Sequence, residues 1–283
     1  MASLRLIARK LLPPVITRRL GGAIQHATSG GPEWEYRPEG AAAWDRFAGW
    51  NDLSVAQTQR AKWPAFLAAI SEPKPLGVAH EAPTISSSDY ATHNTLMTFG
   101  YVLARAAHGR QRLSMLDWGG GSGQYAAVAK VLLPEVSIDY VCRDLPLLCA
   151  LGRELMPEAS FVDNDGAALS RCYDLIYASS AAHYNRDFYA LLARLCLASG
   201  DWLMITRIPV IERHEDFVVL QRPWAYGYRT EYVCWFVNRK RMLSAIQGAG
   251  FRLVREFLVD ERPIVPGAPE QCRYGGFLFQ RSD

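Results

Sequence analysis

Met115-Leu116-Asp117-Trp118-Gly119-Gly120-Gly121-Ser122-Gly123 joins an apolar, strand-like run to the helix-like run Gln124–Leu133. Glycines at such a junction let the backbone turn tightly and approach a ligand without Cβ clashes. The first N–H groups of the following helix are then presented nearby. A glycine loop between strand and helix is a ligand-binding device only if the flanking chain continues the same alternation.

It does. Leu113–Leu116, Val136–Cys142, Phe161–Val162, Tyr173–Ala178 and Trp202–Thr206 read as strands. Gln124–Leu133, Leu147–Leu155 and Arg186–Leu197 read as the helices between them. Apolar strands alternating with helices imply a parallel sheet covered on both faces. The tail adds a helix at Arg241–Gly248 and strands at Phe251–Val259 and Gly276–Gln280, which suit an antiparallel hairpin at one sheet edge. The predicted fold is α/β: a Rossmann-like, mostly parallel, seven-stranded sheet with helices on both faces, preceded by a helical lobe. That lobe is read from Trp44, Phe47, Trp50, Trp63 and Phe66 at helical spacing, with Pro73 and Pro75 ending it. A helix over about Ser88–Ala107 then leads into the glycine loop. Predicted boundaries are a basic arm at 1–31, the lobe at 32–87 and the ligand-binding domain at 88–283.

The loop fits two ligands. Gly121-Ser122-Gly123-Gln124-Tyr125-Ala126 matches the G-x-G-x-x-A dinucleotide fingerprint. Asp117, two residues before Gly119, favours the other choice. A pyrophosphate disfavours a carboxylate at the mouth of its loop, whereas the ammonium and sulfonium of S-adenosylmethionine favour one. Asp144 follows the second strand and can accept both ribose hydroxyls of either cofactor. Asp117, Gly119, Gly120, Gly121, Gly123 and Asp144 are the candidate cofactor residues from this pattern.

These residues resemble class I S-adenosylmethionine-dependent methyltransferases, over about Leu113 to Gln280. The resemblance implies that Phe161-Val162-Asp163-Asn164-Asp165 is the third-strand segment, placing Asn164 and Asp165 at the adenine. Leu116–Gly121 and Pro32-Glu33-Trp34-Glu35-Tyr36 are similar to a bacterial methyltransferase group often associated with surface-polysaccharide biosynthesis. Asp144-Leu145-Pro146 and His183 followed by Asp187 are similar to plant-type small-molecule O-methyltransferases. That similarity adds Leu145 to the cofactor set and implies His183 as general base. Tyr184 departs from it, since those enzymes carry an acid there, and residues 1–110 do not resemble their N-terminal dimerising domain.

An oxygen acceptor must lose a proton, and a base with a pKa near 7 suits that step. His183 sits just past the fourth predicted strand, with Ser179 before it, where open α/β sheets bind ligands. A structural loop histidine is the competing reading. The fold resemblance implies that the helix carrying Tyr90, His93 and Asn94 covers the methionine end of the cofactor; a plain polar helix face is the alternative. It also implies that Gln221–Tyr232 roofs the acceptor. Trp224, Tyr228, Arg229 and Glu231, with Arg207 past the fifth predicted strand, could grip a sugar or aryl group bearing a phosphate or carboxylate. A packed aromatic hairpin is the alternative.

Composition narrows the partners. The 283 residues are 49% hydrophobic and 21% charged, which suits a folded globular chain. Arg5, Arg9, Lys10, Arg18 and Arg19 give residues 1–30 a local charge of +5 with no acid; subtracting this from the net +3 leaves −2 on the remainder. A slightly acidic body argues against nucleic acid. The basic arm, with Leu4, Ile7, Leu11 and Leu12, either lies on an anionic membrane surface or packs on the protein. Six scattered cysteines without a C-x-x-C pair predict reduced thiols, no metal and a cytoplasmic chain, peripheral to the inner membrane face if the arm docks there. The expected function is methyl transfer from S-adenosylmethionine to an oxygen or nitrogen of a small molecule or glycan, by a chain able to form a homodimer. A nicotinamide-dependent oxidoreductase and a non-catalytic scaffold are the rival readings.

Overall fold

The computed structural model describes residues 32–47, 49–77 and 89–282. The predicted basic arm over 1–31 and Ser88 lie outside the described residues. Five strands run parallel in the spatial order β4 (Ser160–Val162), β3 (Ser137–Arg143), β2 (Arg112–Trp118), β5 (Tyr173–Ser179), β6 (Ser199–Ile211). Beyond β6, β10 (Arg273–Arg281) pairs antiparallel and carries β9 (Phe251–Leu258) at the edge. Because β3 and β5 flank β2 on opposite sides, the chain reverses direction across the sheet at β2. Ligands of open α/β sheets bind at such a switch point, outside the carboxyl ends of the strands.

Side-chain alternation explains the two-sided cover. Leu113 and Met115 of β2, Leu175 and Tyr177 of β5, and Trp202 and Met204 of β6 enter one core. Leu116 and Trp118, Ile176 and Ala178, and Leu203 and Ile205 enter the other. The first core is covered by α1 (Leu53–Ser71), α2 (Tyr90–Ala107) and α3 (Gln124–Leu132), through Phe66, Phe99 and Val128 among others. The second is covered by α6 (Phe188–Ala198) and α7 (Arg239–Gly248), through Leu192, Leu195, Met242 and Ile246.

The seven predicted strands are all present, and three more join them. β7 (Phe217–Gln221) and β8 (Tyr232–Asn238) form an antiparallel pair, and β1 (Trp34–Arg37) adds to β7. The carboxyl tip of β6 forks toward them: Val210 and Ile211 pair in parallel with Val237 and Asn238. The segment predicted as purely helical therefore opens with a strand, because Trp34 and Tyr36 pack on Phe236 and Phe217. The 3-10 turn Gly40–Arg46 follows, and then α1, capped by the Asp52 carboxylate on the Ser54 N–H.

α1 does not stand apart as a lobe. It lies against α3 and against α4 (Pro146–Leu155). Arg60 pairs with Glu154 at 2.6 Å, Thr58 and Lys62 donate to the carbonyls of Gly227 and Tyr226, and the Arg229 N–H donates to Ser54. The helix is thus held between the carboxyl ends of the strands and the turn joining β7 to β8. Among the described residues, no helix is long and apolar enough to cross a membrane.

Candidate functional site

A cavity of about 690 Å³ opens at the switch point, within the size range of small-molecule sites. The glycine loop forms one wall. Gly119 has φ +73°, and a Cβ there would run into the Ala181 side chain, so the turn between β2 and α3 needs glycine. Gly119 and Gly121 line the cavity, whereas Gly120 and Gly123 shape the loop from behind.

Asp144 stands on the wall at the end of β3. One carboxylate oxygen accepts the Gly121 N–H at 2.7 Å and the other accepts the Leu145 N–H at 2.7 Å. Burial pushes its pKa up to about 6, against these two N–H groups and the Arg143 guanidinium, which lower it. Leu145 and Ser179 also line the cavity, and Ser179 shares a 3.0 Å hydrogen bond with Tyr125.

Other predicted residues are elsewhere. Asp117 is not on the cavity wall. It is 1% exposed beneath the loop, where it accepts the Tyr140 hydroxyl and where a Cβ on Gly120 would collide with it. Burial raises its pKa to about 7, with the Tyr140 hydrogen bond opposing and the Asp144 charge reinforcing the rise. Asn164 and Asp165, expected at the adenine, serve the short helix α5 (Asp165–Ala168) and its neighbours. Asn164 caps that helix through the Ala167 N–H, and Asp165 pairs with Arg143 at 2.5 Å and Arg194 at 3.2 Å.

His183 is the largest departure. It occupies a 3-10 turn after β5, is 1% exposed, and does not line the cavity. Its ring lies against Tyr184 and Tyr274, and both ring nitrogens lack a hydrogen-bond partner among the described residues. Burial, helped by the Arg207 charge, lowers its pKa to about 3. A ring so placed neither reaches a substrate in this cavity nor titrates near neutrality. Among the described residues, no histidine lines the wall; the carboxylates there include Asp89, Asp260 and Glu261.

Of the predicted acceptor residues, Arg207 alone reaches the wall. Across the β6–β10 pair the register shifts between Gly275 and Phe277, leaving Thr206 and Arg207 opposite Gly276, and Arg207 has φ +50°. A bulge of this kind re-aims a side chain, and here it sends Arg207 to the cavity, where it donates to Glu261 at 2.7 Å. Its neighbour across the sheet, Ser180, is also left-handed at φ 52° and also lines the wall. Two strained non-glycine residues side by side are concentrated where ligands bind.

Tyr90 is exposed, His93 sits half-buried on α2, and Asn94 donates to the Leu258 carbonyl at 2.6 Å. None of the three lines the cavity; their helix contributes Ala91, Thr92, Thr95 and Leu96 instead. Trp224 meets Arg222, Tyr228 is buried against Trp50, Arg229 is exposed, and Glu231 pairs with Arg222 at 2.6 Å. The roof is built by other aromatics: Trp44, Phe47, Trp50, Tyr184, Tyr226 and Tyr232. Trp50 stacks on Tyr232 with centroids 4.1 Å apart, and Tyr184 meets both edge-on at 5.2 and 5.1 Å.

No protein-family model and no curated protein matches the chain. Solved structures similar to it are methyltransferases. An S-adenosylmethionine-dependent methyltransferase from Clostridium acetobutylicum is 9% identical, with 66% of this chain and 92% of that one covered and a TM-score of 0.44. One from Methanosarcina mazei is 12% identical, with 61% and 94% covered and a TM-score of 0.44. The 1,6-didemethyltoxoflavin-N1-methyltransferase of Burkholderia thailandensis, solved with its substrate and S-adenosylhomocysteine, is 17% identical, with 70% and 80% covered and a TM-score of 0.42.

Proposed function

We propose that this chain is an S-adenosylmethionine-dependent methyltransferase acting on an oxygen or nitrogen of a small molecule or glycan. The observation that carries this reading is the junction of the glycine loop with Asp144. A buried carboxylate at the end of β3 and the turn after β2 face one cavity at the switch point of the sheet. The residues present fit the cofactor: Asp144 is on the wall for a ribose, Leu145 and Leu148 offer apolar contact, and buried side-chain amides stand beside Gly121.

When bound, S-adenosylmethionine supplies an electrophilic methyl group on a sulfonium. The chain supplies position. The Trp50–Tyr232 stack and Tyr184 present flat apolar surface to an acceptor. Arg207, pushed to the wall by its bulge and tied to Glu261, supplies charge to orient a polar acceptor. Proton acceptors on the wall are carboxylates, and His183 is left to packing. A place in surface-polysaccharide biosynthesis and membrane docking through residues 1–31 are supported by sequence alone: the former by the segments at 32–36 and 116–121, the latter by the +5 arm.

Calorimetric titration tests the reading. S-adenosylhomocysteine is expected to bind the full chain, and Asp144→Asn to weaken it by about tenfold or more. Binding of NADH in place of S-adenosylhomocysteine would turn the assignment to an oxidoreductase.

A further inference from the structure

Two buried side-chain amides stand beside the glycine loop. Gln59 of α1 is 3% exposed and Gln124, the first residue of α3, is 7% exposed, and both line the cavity. Their Oε1 atoms are buried without a hydrogen-bond partner among the described residues. They converge on one point: a Cβ built on Gly121 would lie 3.0 Å from Gln124 Oε1 and 3.4 Å from Gln59 Oε1. Leaving a buried amide oxygen unpaired costs about 1–3 kcal/mol. Two such oxygens on one cavity wall therefore mark a place where a ligand's N–H groups complete the hydrogen bonding.

The neighbouring carboxylates are engaged elsewhere. Asp117 lies under the loop, off the wall, and holds the Tyr140 hydroxyl. Asp144 accepts the Gly121 N–H on one oxygen and the Leu145 N–H on the other, and its remaining lone pairs serve the ribose. Gln59, in contrast, comes from outside the parallel sheet, on a helix tied down by Arg60 to Glu154 and by Ser54 to Arg229.

From this geometry we infer that Gln59 and Gln124 form the subsite for the α-ammonium of the methyl donor, so that α1 completes the donor site and neutral amides, not Asp117, receive the ammonium. The inference rests on the methyltransferase reading. An ammonium carries three N–H donors and no acceptor, so it is matched by carbonyl-type oxygens. Hydrogen bonds from a charged donor are stronger than those between neutral groups. Each Nε2 group of the same amides is a donor suited to the carboxylate of that amino-acid end.

The test compares two probes that differ only in the amino-acid portion. S-adenosylhomocysteine carries it, and 5′-methylthioadenosine replaces it with a methyl group. Binding of both is measured by calorimetry on the full chain, on Gln59→Met, Gln59→Glu, Gln124→Met and Asp117→Asn, with thermal unfolding as a check that each folds. Gln59→Met and Gln124→Met are expected to weaken S-adenosylhomocysteine by about tenfold or more while shifting methylthioadenosine by less than about twofold. Gln59→Glu is expected to retain S-adenosylhomocysteine binding, because it keeps an acceptor at that place. Equal weakening of both probes by Gln59→Met, or no weakening of either, would overturn the subsite. So would selective loss of S-adenosylhomocysteine in Asp117→Asn with Gln59→Met unchanged. If the unaltered chain binds neither probe, the methyltransferase reading itself fails, a result distinct from any of these.

Discussion

At the scale of single residues, the cavity separates side chains that a linear motif treats alike. Asp117 and Asp144 are both acids near a glycine loop, yet Asp144 reaches the wall and Asp117 lies behind it. Their shared burial has a measurable consequence. Burial holds the folded-state pKa of Asp117 at about 7, above the ordinary carboxylate value of 3.8, so folding prefers the protonated carboxyl. Its contribution is intact below about pH 4 and is lost as pH climbs through about 7. Asp117→Asn, which can still accept the Tyr140 hydroxyl, removes that dependence. The melting temperature of the variant relative to the natural chain is expected to rise between pH 5 and pH 8; an unchanged difference across that range would contradict the buried-carboxyl account. His183 titrates in the opposite sense. Its folded pKa of about 3 lies below 6.5, so its neutral, buried form loses stability as pH falls below about 6.5.

At the scale of elements, the informative unit is the contact between the 44–59 segment and the β7–β8 pair. Trp50 stacks on Tyr232, Gly49 donates to the Glu231 carbonyl, and Thr230 donates to the Gly49 carbonyl at 2.6 Å. Aromatic pairs contribute about 0.5–1.5 kcal/mol beyond their buried area. A double-mutant cycle on Trp50→Ala and Tyr232→Ala, read by urea unfolding, is therefore expected to give a coupling of about that size. Additive losses would show that the stack carries no energy of its own. The same contact explains why residues 44–50 read as part of one helix. Trp44, Phe47 and Trp50 do recur at near-helical intervals, but three rings facing a sheet edge satisfy that spacing as well as three rings on a helix. Packing of Trp44 and Phe47 on Val218, Leu220 and Val233, and of Trp50 on Tyr232, decided between them.

At the scale of the whole molecule, the cavity is enclosed by parts that are distant in sequence: 44–59, the loop after β2, the end of β3, the turn after β5, and Asp260–Glu261. A ligand that bridges them should tighten all of them together. On adding S-adenosylhomocysteine, slowed hydrogen exchange is expected over 50–60 and 226–232 as well as over 119–125 and 144–148. Protection confined to the last two segments would place α1 outside the donor site. The sequence alone determined the mostly parallel sheet, seven of its ten strands, and the glycine loop with Asp144, because these are local: apolar periodicity, turn chemistry and a ligand loop are each written in one short stretch. It did not determine who faces the cavity. Asp165 and Asn164 are spent on an ion pair and a helix cap, His183 is packed against Tyr274, and Arg207 is aimed by a bulge whose register depends on β10. Gln59 left no signal at all, since a glutamine in a helix reads as solvent-facing until another element covers it. Facing is a property of packing between segments far apart in the chain, so it exists only once the tertiary structure brings them together.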